Sequence, residues 1–460
     1  MKETDTICAI STAHGKAGVA LIRISGFEAL DIVSSLFVAK NKTVSDFEPR
    51  KAYYGNIKKD DEIIDDVILT YFKSPNSYTG EDVVEISCHG GLYVTQSILE
   101  TLLSSGARLA YPGEFTKRAY VNGKLTLTKA EAVGMLIDAQ NSSQLKLANN
   151  LSKGTLSKKI ESIREKLLTL LASSYVVVDY PDEDLPDVER EDMKKSIEDI
   201  KNELLSLKTS YKASKAISDG IKTVIIGKPN VGKSSLYNAL SESDLAIVTD
   251  IAGTTRDVIE NTISIGGATL RIADTAGIHK TEDVVEKIGV GKAYSKIDDA
   301  ELIIAVFDNS VKESDEDYDI IDSLKGKSYV IPVINKTDDH SLLSSSFVEK
   351  IKENFGECIR ISAKSGHGVD QLRDHINKLY MLDKIDISNS PLIVNARQLA
   401  SINLALDKVE YAYDIFKSGQ TPDIICFALE NALSEIDMID APFASEEIVN
   451  QIFSRFCVGK

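Results

Sequence analysis

The sequence predicts a multidomain chain: an N-terminal α+β domain, an α-helical domain, and an α/β domain of the phosphate-loop (P-loop) type inserted into the helical one. Three observations predict it. Short apolar runs alternate with glycine-rich turns up to about residue 122, as in "GVALIRISG" and "DVVEISCHGG". From about residue 127 the apolar period lengthens to three or four residues, and it does so again after "NSP" at 389–391. Between these stretches, "TVIIGKPN", "LRIADTAG", "LIIAVFDNS", "YVIPVINKTD" and "IRISAKSG" are short apolar strands separated by helix-length segments, the pattern of a parallel sheet with crossover helices.

In chain order, residues 1–122 form the α+β domain. The run Val83 to Ile86, bounded by turn residues, reads as a strand, and a helix is expected near 91–104. Residues 123–218 form the first helical part, with Leu156, Ile160, Ile163, Leu167 and Leu171 at helical steps and Ile197, Ile200 and Leu204 repeating them. The polar, acidic "DYPDEDLPDVERED", with Pro181 and Pro186, breaks the two runs. Residues 219–382 form the α/β domain, closing with a helix near 369–380. Residues 383–460 form the second helical part, where Leu399, Ile402, Leu406, Val409, Tyr413 and Phe416 share a face. A last helix starts behind Ser445 as N-cap, with Glu446 and Glu447 in its first turn and Ile448, Ile452 and Phe456 on one face. The two helical parts read as one domain, because domain termini often lie close together.

Bulk composition agrees. At 460 residues the chain exceeds one core and divides into roughly three domains. With 43% apolar and 27% charged residues it folds as a globular protein rather than staying disordered. No stretch approaches the ~18 uninterrupted apolar residues of a membrane span, and the opening "MKETDTICAI" lacks the plan of a signal peptide. Cys8, Cys88, Cys358, Cys426 and Cys457 are scattered and without CxxC spacing, against a disulfide framework or a zinc site. A cytoplasmic protein with no membrane partner is expected. The net charge of −17 gives no support for a partner held mainly through nucleic-acid phosphates. The ending "FCVGK" has a cysteine fourth from the end, but Gly459 and Lys460 do not fit a prenylation box.

"GKPNVGKSS" matches G-x-x-x-x-G-K-[ST] from Gly227 to Ser234, behind the strand "TVII" and ahead of the helix-compatible "SLYNAL". The loop amides, with Asn230, Val231, Gly232 and Ser235 in the cradle, wrap phosphates; Lys233 reaches the terminal ones and the Ser234 hydroxyl holds Mg²⁺. By chance such a match arises in only about one chain in fifty of this length. In "DTAG", Asp274 is placed to orient the metal and the Gly277 amide to sense the γ-phosphate, with Thr275 and Ala276 between them. In "NKTD", Asp338 can accept from both N1–H and the exocyclic amine of guanine, while Asn335 braces the loop that Lys336 and Thr337 complete. In "SAK" (Ser362, Ala363, Lys364), the Ala363 amide is offered to the base oxygen. Five elements in this order, each at a strand end, predict a P-loop GTPase (G) domain that binds GTP.

Two departures qualify its chemistry. Ile278 stands where a Ras-type enzyme has a glutamine to orient water, and no arginine finger is evident. Arg256 in "GTTRD" is a candidate with an equally good structural reading. Asn230 points to a bound monovalent cation that would supply the missing charge; the plainer reading is that it ties down the loop.

Together with "VTDIAGTTRD" at 248–257, the blocks "DTICAISTAHGKAGVALIRISG", "SYTGEDVVEISCHGG", "YPGEFTKRAYVNGKL" and "FCVGK" resemble the MnmE (TrmE) family of bacterial tRNA-modification GTPases over the whole chain. The resemblance implies a homodimer working with the flavoprotein MnmG (GidA) in a heterotetramer, with tRNA as substrate and carbon 5 of the wobble uridine as target. It implies that the N-terminal α+β domain binds 5-formyltetrahydrofolate or a related folate and dimerises. By motif the folate contacts would be Arg23, Glu85, Lys124 and Lys460. Read alone, Arg23 and Lys124 suit an anionic folate tail but are more commonly solvated surface charges. The family pattern puts K⁺ on Asn230, Thr249, Ile251 and Thr254, and Mg²⁺ on Ser234 and Thr255, within the loop that includes Asp250, Ala252 and Gly253. Glu286, in "VVEKIG", would orient the water through an intermediary.

The same resemblance brings Cys457 and Lys460 back to the folate site, with the thiol as nucleophile or site element; a buried packing cysteine is the plain alternative. Two rivals from other classes stand beside this reading. One is a GTP-driven RNA or ribosome assembly factor acting as a binding switch, although no GxxG loop follows Ser362 as an Era-type RNA-binding domain would require. The other is a folate-binding protein with an unrelated regulatory GTPase.

Overall fold

The computed structural model describes residues 5–39, 46–179, 187–241, 261–272, 297–327, 329–419, 422–440, 446–454 and 456–459. It divides into two compact units, one built from Met1–Asp138, Leu151–Leu205 and Ala400–Lys460, the other from Ala139–Asn150 and Ser206–Leu399.

The first unit opens with strands β1 (Ile7–Ile10), β2 (Val19–Ser25), β3 (Phe37–Ala39), β4 (Ala52–Lys59), β5 (Glu62–Phe72), β6 (Val83–His89) and β7 (Arg108–Leu109). They form a sheet in the order β3-β4-β5-β6-β2-β1-β7, antiparallel except for the parallel β1/β7 pair. Because side chains alternate along a strand, Ala20, Ile22 and Ile24 of β2 and Val84, Ile86 and Cys88 of β6 point to one face. There they pack on helices Ala29–Ser34 and Leu92–Ser104 through Val33, Ile98 and Leu102. Arg23 and Glu85 sit at the intervening positions. The expected strand near 83–86 and helix near 91–104 are both present.

The helical part of this unit includes Thr155–Asp179, the first part of Asp187–Ser218, most of Ala396–Ser418, Pro422–Asp437 and Glu446–Phe453. Most residues picked out by helical spacing are its core: Ile160, Ile163, Leu167, Ile197, Ile200, Leu204, Ile402, Leu406 and Val409 are buried, whereas Leu399, Tyr413 and Phe416 are half-buried. The last helix differs from expectation in phase. Its buried ridge is Val449 and Phe453, set against Tyr120, Leu127 and Ala130, with Ile452 and Phe456 only partly covered. The helix stops at Phe453, and the chain turns so that the Phe456 amide donates to the Phe453 carbonyl (3.0 Å). Phe456 therefore arrives from a turn rather than from the helical face. Ser445 lies outside the described residues.

The second unit carries β8 (Ile221–Ile226), β9 (Asn261–Ile265), β10 (Ala268–Ile272), β11 (Leu302–Asp308), β12 (Val330–Asn335) and β13 (Ile359–Arg360). Their order is β13-β12-β11-β8-β10-β9, with helices Lys233–Ser241, Asp315–Leu324, Ser345–Phe355 and Val369–Leu379 between strands or after them. All seven residues of β11 are buried, which is why it reads as an unbroken apolar run. The sheet is not wholly parallel as expected: β9 lies antiparallel to β10 at the edge. Two residues, Gly266-Gly267, join the pair, and so short a link allows only a hairpin, since a parallel neighbour needs a long crossover.

Candidate functional site

Strands β8, β11, β12 and β13 run parallel, so Ile226, Asp308, Asn335 and Arg360 end at one edge of the sheet, where open α/β sheets bind ligands. From Ile226 the chain enters the loop Gly227–Gly232 and then the helix Lys233–Ser241. Asn230 (φ +63°) and Gly232 (φ +95°) both take left-handed backbone, which turns the intervening amides inward. A Cβ on Gly232 would run into the Asn335 side-chain nitrogen, so only glycine fits there. The result is an anion cradle at a helix N-terminus. Lys233 Nζ stands at its mouth, donating to the carbonyls of Gly227 (2.8 Å) and Lys228 (2.7 Å). Ser234 and Ser235 occupy the first turn, with Val231 buried beneath.

Asn335 does more than brace its own loop. Only 2% exposed, it donates from Nδ2 to the Val231 carbonyl (2.8 Å) and accepts at Oδ1 from the Ala363 amide (2.9 Å). One amide thus joins the phosphate loop, "NKTD" and "SAK". The Ala363 amide is turned to Asn335, so donation to a base oxygen would be shared with that bond. The Thr337 amide donates to Ile361 O (3.1 Å), tying the two loops a second time. Asp338 is exposed, and the Ser362 hydroxyl chiefly holds its carboxyl below the ordinary carboxylate range, so it stands ready as an anionic acceptor. Lys364 is exposed beside it. Thr249, Asp250, Ile251, Ala252, Gly253, Thr254, Thr255, Arg256, Asp274, Thr275, Ala276, Gly277, Ile278 and Glu286 lie outside the described residues.

Two aspartates near this edge carry no spacing signal and were not anticipated. Asp308 pairs with the Lys336 ammonium (2.6 Å), and Asp317 pairs with Lys228 of the phosphate loop (2.5 Å).

In the other unit, Arg23 and Glu85 are direct cross-strand neighbours of β2 and β6. Arg23 Nε and Nη2 both donate to Glu85 Oε1 (2.9 and 2.7 Å), which leaves Oε2 clear of them. The guanidinium lies over the rings of Tyr78 and Phe115, 5.4 and 5.6 Å from their centroids. Lys124 Nζ donates to the Pro75 carbonyl (2.9 Å). Residues 456–459 return to this same sheet. The Gly113 amide donates to Cys457 O (3.3 Å) and Ser11 Oγ to Gly459 O (2.9 Å). Gly459 has φ +97°, and a Cβ there would run into the Ile10 carbonyl. Ile10 follows Ala9, the β1 partner of Arg23. Cys457 is exposed, whereas Cys8 and Cys88 are buried and their thiols pushed up to about 12 and about 11 by that burial. Cys457 is thus not a core packing residue. Lys460 lies outside the described residues.

An ionic cluster centred on the buried pair Arg118 and Glu114 lies in the same unit. Arg118 meets Asp5, Glu81 and Glu114, and Arg108 meets Asp5 and Glu114. Burial pushes the Glu114 carboxyl up, but Arg108, the Tyr111 amide and Arg118 outweigh it and keep the group anionic. The i,i+4 spacing of Glu114 and Arg118 within "GEFTKR" was the available signal.

Residues 6–124 match the family model described as GTP-binding protein TrmE N-terminus, and residues 127–457 match the MnmE helical domain. The tRNA modification GTPase MnmE of Clostridioides difficile is 40% identical over 457 residues, covering 99% of both chains. The chain belongs to the MnmE family of tRNA modification GTPases. MnmE of Acetivibrio thermocellus is 41% identical over 467 residues, covering all of both chains, and that of Thermoanaerobacter pseudethanolicus 39% over 459 residues, covering 99% of both. A solved structure of Aquifex aeolicus Era bound to GDP.AlF4- is 26% identical over 41% of this chain and 66% of that one, with a TM-score of 0.27, which adds nothing to the strand order above. The blocks that carried the MnmE resemblance fall on defined elements: "DTICAISTAHGKAGVALIRISG" spans β1 and β2, and "VVEISCH" is β6.

Proposed function

We propose that the chain is a K⁺-activated GTP hydrolase that, as a homodimer with a flavoprotein partner of the MnmG type, modifies carbon 5 of the wobble uridine of certain tRNAs with a folate-derived one-carbon unit. The observation that carries the nucleotide part is the Asn335 bridge, which couples the phosphate cradle to the base-reading loops. Membership of the MnmE family makes it a GTP hydrolase in tRNA modification. The cradle, with left-handed backbone at Asn230 and Gly232 ahead of a helix N-terminus, suits nucleotide phosphates. Ser234 would hold Mg²⁺ with Thr255, and Asn230 would hold K⁺ with Thr249, Ile251 and Thr254; hydroxyl and carbonyl oxygens are the donors these hard cations take. The cations supply charge neutralisation, Glu286 orients water, and Arg256 is the remaining cationic candidate.

On the sheet of the first unit, Glu85 Oε2, which the two Arg23 bonds leave clear, suits the amino and ring N–H donors of a folate's pterin. Arg23, paired with Glu85, would line the same end of the ligand, Lys124 and Lys460 would meet its carboxylates, and the exposed Cys457 is the candidate thiol. The flat rings of Tyr78 and Phe115 exclude water from Arg23.

The test measures GTP turnover in K⁺ and in Na⁺, together with wobble-uridine content of tRNA from a deletion strain complemented by wild type or Cys457→Ser. Fast turnover in K⁺ alone, and loss of modification without loss of turnover in the variant, are expected. Equal rates in both salts remove the cation, and normal tRNA in the variant removes the thiol.

A further inference from the structure

We infer that Asp308 is a positioning residue for the purine base, acting through Lys336. The inference rests on the GTP reading above and deepens it. Lys336 directly follows Asn335 and has φ +62°, backbone that a lysine rarely adopts unless its surroundings hold it. Its Nζ lies 2.6 Å from Asp308 Oδ2. Asp308 is 6% exposed, and its Oδ1 accepts from the Ser310 amide (2.8 Å) and hydroxyl (2.6 Å), so the carboxylate cannot swing.

The two residues are also tied through their strands. Asp308 and Asn335 are register partners at the ends of β11 and β12, and the Asn309 amide donates to Asn335 O (2.9 Å). Ser341 Oγ and the Leu342 amide bond Asn309 from the far side (3.0 and 2.9 Å). The anchor and the lysine it holds are therefore parts of one rigid corner. Burial pushes the Asp308 carboxyl up, but Lys336 and Ser310 outweigh it and hold it below the ordinary carboxylate range.

The consequence is a lysine whose ammonium is already engaged and whose methylene stem is held in one course beside Asp338. A flexible lysine would lose its rotamer freedom when a base packed on it; this one has lost it on folding. Lys336 then offers the base an apolar flank, while Asp338 offers the acceptor. Asp308 touches no ligand in this scheme.

The test uses the full chain and compares dissociation constants of a fluorescent GDP and of inorganic triphosphate, the latter by competition. Asp308→Asn should weaken GDP roughly tenfold, the size of one lysine's rotamer freedom, and leave inorganic triphosphate unchanged. Asp308→Glu should restore part of the loss. In a Lys336→Met background, which keeps the apolar stem and removes the ammonium, adding Asp308→Asn should change nothing further. If GDP and inorganic triphosphate weaken equally, or if Asp308→Asn retains its full effect in the Lys336→Met background, Asp308 supports the fold and not the base. Wild-type protein that binds inorganic triphosphate but not GDP overturns the GTP reading, and this proposal with it.

Discussion

Removing the Asn335 side chain isolates the bond that joins the phosphate loop to the base loops. Asn335→Ala strands two buried backbone groups, the Val231 carbonyl and the Ala363 amide, whose residues are 1% and 9% exposed. Each unmet buried partner costs about 1–3 kcal/mol; the carbonyl falls at the low end because its second lone pair remains usable. The sum is about 3 kcal/mol. The Ala363 amide can regain a partner in a bound base, so the share that falls on the bound state is the lost register between the loops, and GDP affinity should drop roughly tenfold. Asn335→Asp provides the finer test. Its carboxylate still accepts from Ala363 but faces the Val231 carbonyl with negative charge instead of a donor, so it should bind GDP more weakly than the alanine variant. Fluorescent-GDP titration beside a thermal melt reads both. Affinity within about threefold of wild type for Asn335→Ala, or tighter binding by Asn335→Asp than by Asn335→Ala, would refute the bridge as the coupling element.

Three other outcomes are expected. Gly459→Ala places a Cβ against Ile10 O on left-handed backbone, so residues 456–459 should leave the sheet: proteolysis there should quicken and tRNA modification fall, with GTP turnover unchanged. Asp317→Ala removes the Lys228 pair and half of the capping box at Ser314, so the melting temperature should fall by the equivalent of about 1 kcal/mol and inorganic triphosphate should bind more weakly; an unchanged melt excludes that role for the cap. His89 should titrate above its ordinary 6.5, chiefly because Asp65 accepts from Nδ1 at 2.7 Å, and Asp65→Asn should return it. A raised value means the pair stabilises the fold fully below 6.5 and stops doing so as pH rises through the folded value. An NMR titration with no difference between the two proteins would dismiss the pair.

What the sequence disclosed follows from which signals are local. Gly227 to Ser234 is one contiguous loop whose backbone demands are written in its own residues, so it was readable, as was the helical spacing of Ile160, Ile163 and Leu167. The partners of Lys228 and Lys336 were not, because Asp317 and Asp308 stand far along the chain and become neighbours only when β11 lies between β8 and β12. The same reason hid the Arg108–Asp5–Arg118 cluster. The antiparallel β9 was missed although Gly266-Gly267 is a hairpin turn, because the strong parallel pattern of the surrounding strands was extended over it. Period alone puts Ile448, Ile452 and Phe456 on one face of the last helix, and a period cannot show that the helix ends at Phe453.

The Ser11–Gly459 hydrogen bond joins residues 448 apart in the chain. Strand β1 can pair with β2 as soon as both have left the ribosome, whereas the segment that docks beside it is translated only after the entire nucleotide unit. At ordinary elongation rates that interval is on the order of half a minute to a minute and a half. Over that time strands β1, β2 and β6, with Arg23 and Glu85, can be in place without residues 456–459 docked at Ser11 and Gly113. A nascent or stalled chain can therefore acquire its phosphate cradle before it acquires Cys457. The order of synthesis leaves the exposed cysteine among the last pieces to be fitted, onto a sheet whose strands are all made earlier.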